Sequence, residues 1–488
     1  MKAIKDILYK VSIEAIEGNM SCEIDRITFD SRQVQSKDLY VAIPGVKSDG
    51  HDFIAESVKK GARVVVCEFF PSELDETVTY IRVEDSRAAL AVMAANFFGR
   101  PSENLKLVGV TGTNGKTTVA TLLYELFSKA GYKVGLLSTV RILVGDQEYP
   151  AAMTTPDSLT INRYLRQMNA EGAEFCFMEV SSHGIDQKRT EGLQFAGGIF
   201  TNLSHDHLDY HKTFVAYRDV KKKFFDQLPK AAFALTNLDD KNGAYMVQNT
   251  RARHKTYALK SDANYKVKIL EDSFQGMLLS LNGAEVWTQL IGDFNAYNLA
   301  AIYGAAHLLG LDEKDILVGI SGLIAVEGRF EYVVSTRDKI TAIVDYAHTP
   351  DALKNVLLTV NAIRTHRERL FTVVGCGGDR DKTKRPEMGR IAVELSDQVI
   401  LTSDNPRTED PVKIIEDIEK GIPSKYADKT LSIVDRKQAI KTACTLAKQG
   451  DIILIAGKGH ETYQEVHGKR HHFDDMEIIT DYFKILAK

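Results

Sequence analysis

The run VGVTGTNGKTT at residues 108–118 constrains local structure more tightly than any other stretch of this chain. Leu107, Val108 and Val110 read as the end of a buried strand, and Gly112 and Gly115 permit close backbone approach. From Thr118 onward the apolar spacing is helical. The order is therefore strand, glycine turn, helix. Backbone N–H groups and the positive end of a helix make such a turn a cradle for phosphates. Lys116 is placed to reach a terminal phosphate and the Thr117 hydroxyl to ligate Mg²⁺. The loop is the shortened form G-x-x-G-K-T, because the position at which the longer pattern has glycine is Val110. A nucleoside triphosphate is the expected ligand.

At 488 residues the chain is too long for one ordinary core, and about 150 residues per domain suggests three. With 62 basic and 66 acidic residues the net charge is −4, so no global field recruits nucleic acid or an anionic membrane. An acidic substrate must be held by local Arg and Lys. Cys22, Cys67, Cys176, Cys376 and Cys444 are spread widely with no C-x-x-C, which fits reduced thiols. Charges interrupt the first residues, and no run of 18 apolar residues occurs, so a soluble cytoplasmic protein is expected.

The fold class reads as α/β. Strand-like runs at 39–43, 63–67 and 79–83 alternate with helical stretches up to a turn at Gly99, Arg100 and Pro101. A βαβ pattern with inserts follows to about residue 330, including strands at 133–138 and 174–180. Strands at 341–345, 370–374, 399–402 and 452–455 then alternate with helices, as in a doubly wound sheet. The expected domains are 1–99, 100–330 and 331–488. Gly375 and Gly377 follow a strand, but Arg380 occupies the third glycine position, so no dinucleotide fingerprint is assigned.

Outside the glycine turn, four constellations carry chemistry. Glu179 closes an apolar strand, which in a parallel sheet places its carboxylate at the ligand-binding edge, where it could hold a metal. The stretch TNLSHDHLDYH packs three His and two Asp into residues 205–211, and either His207 or Asp206 suits a neighbour of Mg²⁺ or phosphate better than a zinc ligand. At about 100° per residue, Phe214, Tyr217, Phe224, Phe225 and Leu228 fall within roughly 60° of Lys221, while Lys222 and Lys223 point away. A half-buried lysine is a candidate for a depressed pKa and for chemistry of the neutral amine. In the last third, four strand-end loops (DYAHTP, GGDRDKTKRP, DNPR and GKGHE) should gather on one face. Arg380 and Arg407 suit a carboxylate, Asp404 and Glu461 an ammonium, so a zwitterion is expected there.

Together, GTNGKTT, TTPD, EVSSHG, HLDYH, DYAHTPD, GGDRDKTKRP, DNPR and GKGHE resemble the Mur ligase family, and within it the MurE type, over nearly the whole chain. The resemblance implies an N-terminal uridine-nucleotide-binding domain, a central P-loop ATPase domain and a C-terminal Rossmann-like domain. It implies an ATP-dependent ligase in which a substrate carboxylate becomes an acyl phosphate and an amine displaces phosphate. Gly112, Thr113, Asn114, Gly115, Lys116, Thr117 and Thr118 would bind ATP phosphates, with Asn295, Asn298, Arg329 and His348 as further nucleotide contacts. Thr117 and Glu179 would serve Mg²⁺, His207 a second metal shell, and Lys221 matches the lysine that the family carbamylates. Lys116, Glu179, His207 and Lys221 are thus the expected catalytic group.

By the same matching, Ser31, Thr154, Thr155, Ser181, Gln187 and Arg189 would contact the UDP-MurNAc-dipeptide. DNPR resembles the form associated with meso-diaminopimelate, with Arg380, Asp404, Asn405, Pro406, Arg407, Gly457 and Glu461 around it. Arg407 would pair with the distal carboxylate, which L-lysine lacks. The implied partners are small molecules, with no nucleic acid or membrane insertion, and a monomer is expected. A folylpolyglutamate-type ligase, a ligase adding L-lysine and a P-loop switch or transport ATPase stand as rivals on the sequence alone.

Overall fold

Short, mostly apolar runs of four to six residues in the central part form the inner strands of one sheet covered on both faces. In the computed structural model, which describes residues 1–45, 48–486 and 488, the inner strands of this sheet run Val134–Leu137, Phe175–Glu179, Lys106–Thr111, Phe195–Phe200, Phe233–Asn237 and Arg253–Ala258, all mutually parallel. Along Phe175–Glu179, Phe175 and Phe177 pack to one side, while Cys176 and Met178 pack to the other. Such strands read as continuous apolar runs because both faces are buried.

The helix Lys116–Lys129 covers one face with Val119, Leu122, Leu123, Leu126 and Phe127. Full burial of each leucine there contributes about 1.5–3 kcal/mol. Phe214–Asp226 covers the other face with Tyr217, Phe224 and Phe225, and the Thr213 hydroxyl caps its start by accepting from Ala216 N–H. The sheet continues to eleven strands. Arg141–Val144 and Gln147–Pro150 extend one edge, and Tyr265–Ser273, Gly276–Leu281 and Ala284–Thr288 the other.

The N-terminal part has a five-stranded sheet in the order Ala15–Glu17, Thr79–Arg82, Val64–Cys67, Leu39–Val41, Ile27–Thr28, the last four parallel. The C-terminal part has six strands in the order Glu331–Val334, Thr341–Asp345, Ile452–Ala456, Leu370–Val374, Gln398–Leu401, Thr430–Ser432, parallel except for the first. The three-part α/β architecture matches the expectation from the sequence. Among the described residues, no helix is long and apolar enough to cross a membrane.

Candidate active site

The glycine turn joins Lys106–Thr111 directly to Lys116–Lys129, as its spacing requires. Gly112 and Gly115 have φ of +150° and +85°. A Cβ on Gly112 would sit 1.9 Å from Thr201 Oγ1, and one on Gly115 would sit 2.5 Å from Asn298 Oδ1. Backbone conformation and close approach therefore both demand glycine at these two positions. Lys116 Nζ donates to the carbonyls of Gly112 and Thr113 at 2.9 and 2.8 Å. Asn298 in turn donates to Asn295 Oδ1 at 3.2 Å, so both asparagines of helix Asp293–Leu309 back the turn.

Lys221 lies on the face that helical phase selects: it is 1 % exposed, and its ammonium donates to Gly112 O at 2.9 Å. Burial, reinforced by the nearby Lys116 charge, lowers its pKa well below the ordinary lysine value. Helical phase fails for its neighbour. Lys222 is also buried, because it pairs with Asp226 at 2.6 Å one turn on and stands over the Tyr245 ring. Lys223 is exposed.

Glu179 is buried at the carboxyl end of its strand, and its carboxylate accepts from Thr139 N–H at 2.6 Å. The Thr155 hydroxyl donates to Glu179 O at 2.9 Å and lies 3.0 Å from the Ser181 hydroxyl, while Thr154 receives a bond from Thr139. Arg189 reaches Thr155 O and is steadied by Gln187 Oε1 at 2.7 Å. These residues form one polar rim beside the glycine turn. Ser31 belongs to the N-terminal part, in the short helical turn Ser31–Gln33. His207 takes the left-handed conformation, φ +55°, and burial lowers its pKa although Asp206 lies 3.4 Å away.

The loops after four of the five parallel C-terminal strands do gather at one end. With residues 205–209 of the central part they enclose a cleft of about 480 Å³. From the central part Thr154 and His207 face it, and from the C-terminal part His348, Arg380, Asp404 and Asn405. Arg407, Gly457 and Glu461 complete the expected set, with Pro406 buried behind them. Asn405 Nδ2 donates to Glu461 Oε2 at 2.7 Å, and Arg407 Nη1 to Gly378 O at 2.6 Å. Burial raises the pKa of Glu461, an effect opposed by Lys458.

Two lysines inside the loop motifs, Lys458 in GKGHE and Lys384 in GGDRDKTKRP, are not singled out by the sequence. Lys458 is fully buried and donates to both Asn405 Oδ1 and Glu461 Oε2 at 3.1 Å. Lys384 lines the cleft and donates to His348 O at 2.8 Å. Asn114 Nδ2 donates to Asp351 Oδ2 at 3.3 Å, which joins the glycine turn to the C-terminal part, and Arg329 Nη2, next to the boundary between the two parts, donates to Thr117 Oγ1 at 3.1 Å. Thr349 caps the helix Pro350–Ile363, which sets Asp351 in its first turn.

The donor set suits a hard cation. Thr117 and Glu179 offer oxygen ligands beside the turn, and Mg²⁺ is commonly held by one or two carboxylates together with phosphate oxygens. Among the described residues, no three His, Cys, Asp or Glu side chains gather into a closed metal cage.

Family models match three successive stretches: the Mur ligase family catalytic domain at 23–98, the Mur ligase middle domain at 110–306 and the Mur ligase glutamate ligase domain at 328–459. The chain is 54 % identical to the UDP-N-acetylmuramoyl-L-alanyl-D-glutamate--2,6-diaminopimelate ligase of Bacteroides fragilis, covering 99 % of each chain. The chain belongs to the Mur ligase family. A Cytophaga hutchinsonii Mur ligase of the same name is 53 % identical over 99 % of this chain and 100 % of the other. A solved structure of a ligase of that name aligns over 100 % of this chain and 99 % of the other, with a TM-score of 0.70 and 32 % identity.

Proposed function

We propose that this chain is an ATP-dependent amide ligase that adds meso-diaminopimelate to UDP-N-acetylmuramoyl-L-alanyl-D-glutamate, a step in cytoplasmic synthesis of peptidoglycan precursors. The observation that carries the reading is the shared cleft. Thr154 of the polar rim, His183 and residues 205–209 face, across about 480 Å³, a set of loops holding Arg380, Arg407, Asp404 and Glu461. A phosphate donor and a zwitterionic acceptor would thus be held toward one reacting centre.

In this reading a carboxylate oxygen of the D-glutamyl group attacks the γ-phosphorus of ATP. The bond to the β-phosphate oxygen breaks and ADP leaves. The acceptor's amine then attacks the acyl carbon, the bond to the phosphate oxygen breaks, and the amine's surplus proton passes to the departing phosphate. The work required of the protein is positioning and charge neutralisation. Gly112 to Thr118 would cradle the phosphates, with Lys116 at the terminal pair and Asn295, Asn298, Arg329 and His348 as nucleotide contacts. Mg²⁺, held by Thr117 and Glu179 with His207 and Lys221 nearby, would supply charge neutralisation at the phosphates.

Lys221 would act as a carbamate. The ammonium first loses a proton; carbon dioxide then adds to the neutral amine, an N–C bond forms, a second proton leaves the nitrogen and the side chain ends as an anionic carboxylate. Burial of this side chain favours the neutral amine the step needs. Ser31, Thr154, Thr155, Ser181, Gln187 and Arg189 would contact the uridylated dipeptide. Arg407 would take the distal carboxylate of the acceptor, and Asp404 and Glu461 its ammonium. Domain limits near residues 99 and 330 and a monomeric state belong to the same proposal.

The test is phosphate release by the purified chain with ATP, Mg²⁺ and the uridylated dipeptide, comparing meso-diaminopimelate, L-lysine and no acceptor. Release is expected with meso-diaminopimelate and is expected to stop on chelation of Mg²⁺. Comparable rates with L-lysine overturn the acceptor assignment. ATP consumption without a joined product overturns the ligase reading itself.

A further inference from the structure

The chain beyond Glu461 belongs to none of the motifs above, yet it folds into a device aimed at one of them. Tyr463–Val466 and Lys469–His472 form an antiparallel hairpin that joins no larger sheet, and its second strand is exposed along its whole length. An isolated two-stranded hairpin is marginal in water, so its remaining bonds show what it is anchored to. Gln464 Nε2 donates to Asp404 O at 2.7 Å. Glu465 N–H donates to the side-chain Oδ1 of Asn405 at 2.9 Å. Arg407 N–H donates to Glu465 O at 3.0 Å, and His467 N–H donates back to Arg407 O at 2.7 Å. Four bonds therefore tie the hairpin edge to residues 404, 405 and 407 in series.

The loop needs such a tie. Arg407 has φ +52°, a left-handed conformation that costs a non-glycine residue about 1–2 kcal/mol. Its guanidinium is anchored by Gly378 O and has Glu465 Oε2 3.8 Å from Nε. Bidentate recognition of a carboxylate tolerates displacements of only about 0.5 Å, so whatever fixes this backbone also fixes what the guanidinium can read.

We propose that the hairpin Tyr463–His472 sets acceptor selectivity, with Gln464 as the positioning residue that holds the Asp404–Arg407 loop in its reading conformation. The proposal rests on the acceptor site assigned under Proposed function. Gln464 does not line the cleft; it acts through Asp404 and Arg407.

The test uses the full chain carrying Gln464→Leu, and separately Gln464→Glu, which keeps the shape but cannot donate to a carbonyl. Arg407→Ala is measured alongside. Phosphate release gives KM for acceptor, ATP and uridylated dipeptide, and the kcat/KM ratio for meso-diaminopimelate over L-lysine. Loss of one such hydrogen bond is expected to raise the acceptor KM roughly two- to tenfold. The ratio should fall by a similar factor, with kcat and the other two KM values little changed. A uniform fall in kcat, or unchanged kinetics, overturns the proposal when Arg407→Ala does raise the acceptor KM. An acceptor KM indifferent to Arg407→Ala overturns the acceptor reading, and this inference with it.

Discussion

Arg436 and Asp475 form an ion pair with no exposed side-chain surface, Nε and Nη2 lying 2.9 and 2.7 Å from the two carboxylate oxygens. Nη2 also donates to Ala456 O at 3.1 Å, immediately before Gly457 of the cleft. Asp475→Ala would leave the guanidinium buried with that one carbonyl as partner. Breaking a buried pair in this way costs about 3–5 kcal/mol, because the remaining charge keeps its desolvation penalty. Amides of Ile452–Ala456, inside the six-stranded sheet, should exchange with solvent roughly 10²- to 10⁴-fold faster if they exchange through opening of that unit. Trp287, the one tryptophan in the chain, lies in the antiparallel extension of the central sheet. Its fluorescence transition in urea is the internal reference and should move far less. Arg436→Met combined with Asp475→Leu should recover most of the loss, since an apolar replacement removes both the attraction and the penalty. Exchange accelerated less than about tenfold, or a double variant no better than the single one, would refute the reasoning.

Arg407→Lys keeps charge but loses the planar fork, and kcat/KM for meso-diaminopimelate should fall roughly 10- to 100-fold, measured by phosphate release. Lys221→Met should abolish both ligation and the carbamate carbon signal that ¹³C-bicarbonate gives in the unaltered protein by NMR; retained activity removes Lys221 from the chemistry. Hydrogen bonds from Arg385, at 2.8 and 3.1 Å, hold the Glu409 carboxyl down at about 2 against an ordinary 4.5. A depressed carboxylate stabilises the fold above its unfolded value and loses that contribution as pH falls. Acid unfolding followed from about pH 4.5 to 2 should therefore show a loss of stability that Glu409→Gln flattens, at the expense of stability near neutral pH.

How much of this was legible in advance depends on whether a residue's partners are close in sequence. The glycine turn and the strand-end loops are local patterns, and in a parallel sheet their meeting at one end follows from topology. Lys221 was legible because helical phase is local too. Lys222 was not, since its burial depends on Asp226 and on Tyr245 from another helix. The strands Tyr265–Ser273 to Ala284–Thr288 mix polar with apolar residues and pair antiparallel at the sheet's edge, which blurs their pattern. Asn114 and Asp351, 237 positions apart, carry no signal of their meeting. The hairpin after Glu461 resembles an ordinary surface turn until its partners are known.

Lys116 and Lys221 both direct an ammonium at the same carbonyl oxygen, that of Gly112. The Lys116 charge adds to burial in lowering the pKa of Lys221, the more deeply buried of the two. The two side chains therefore form a single electrical unit. Neutralising Lys116 would relieve its neighbour and let Lys221 hold a proton more firmly, so a substitution aimed at one lysine would quietly alter the reactivity of the other.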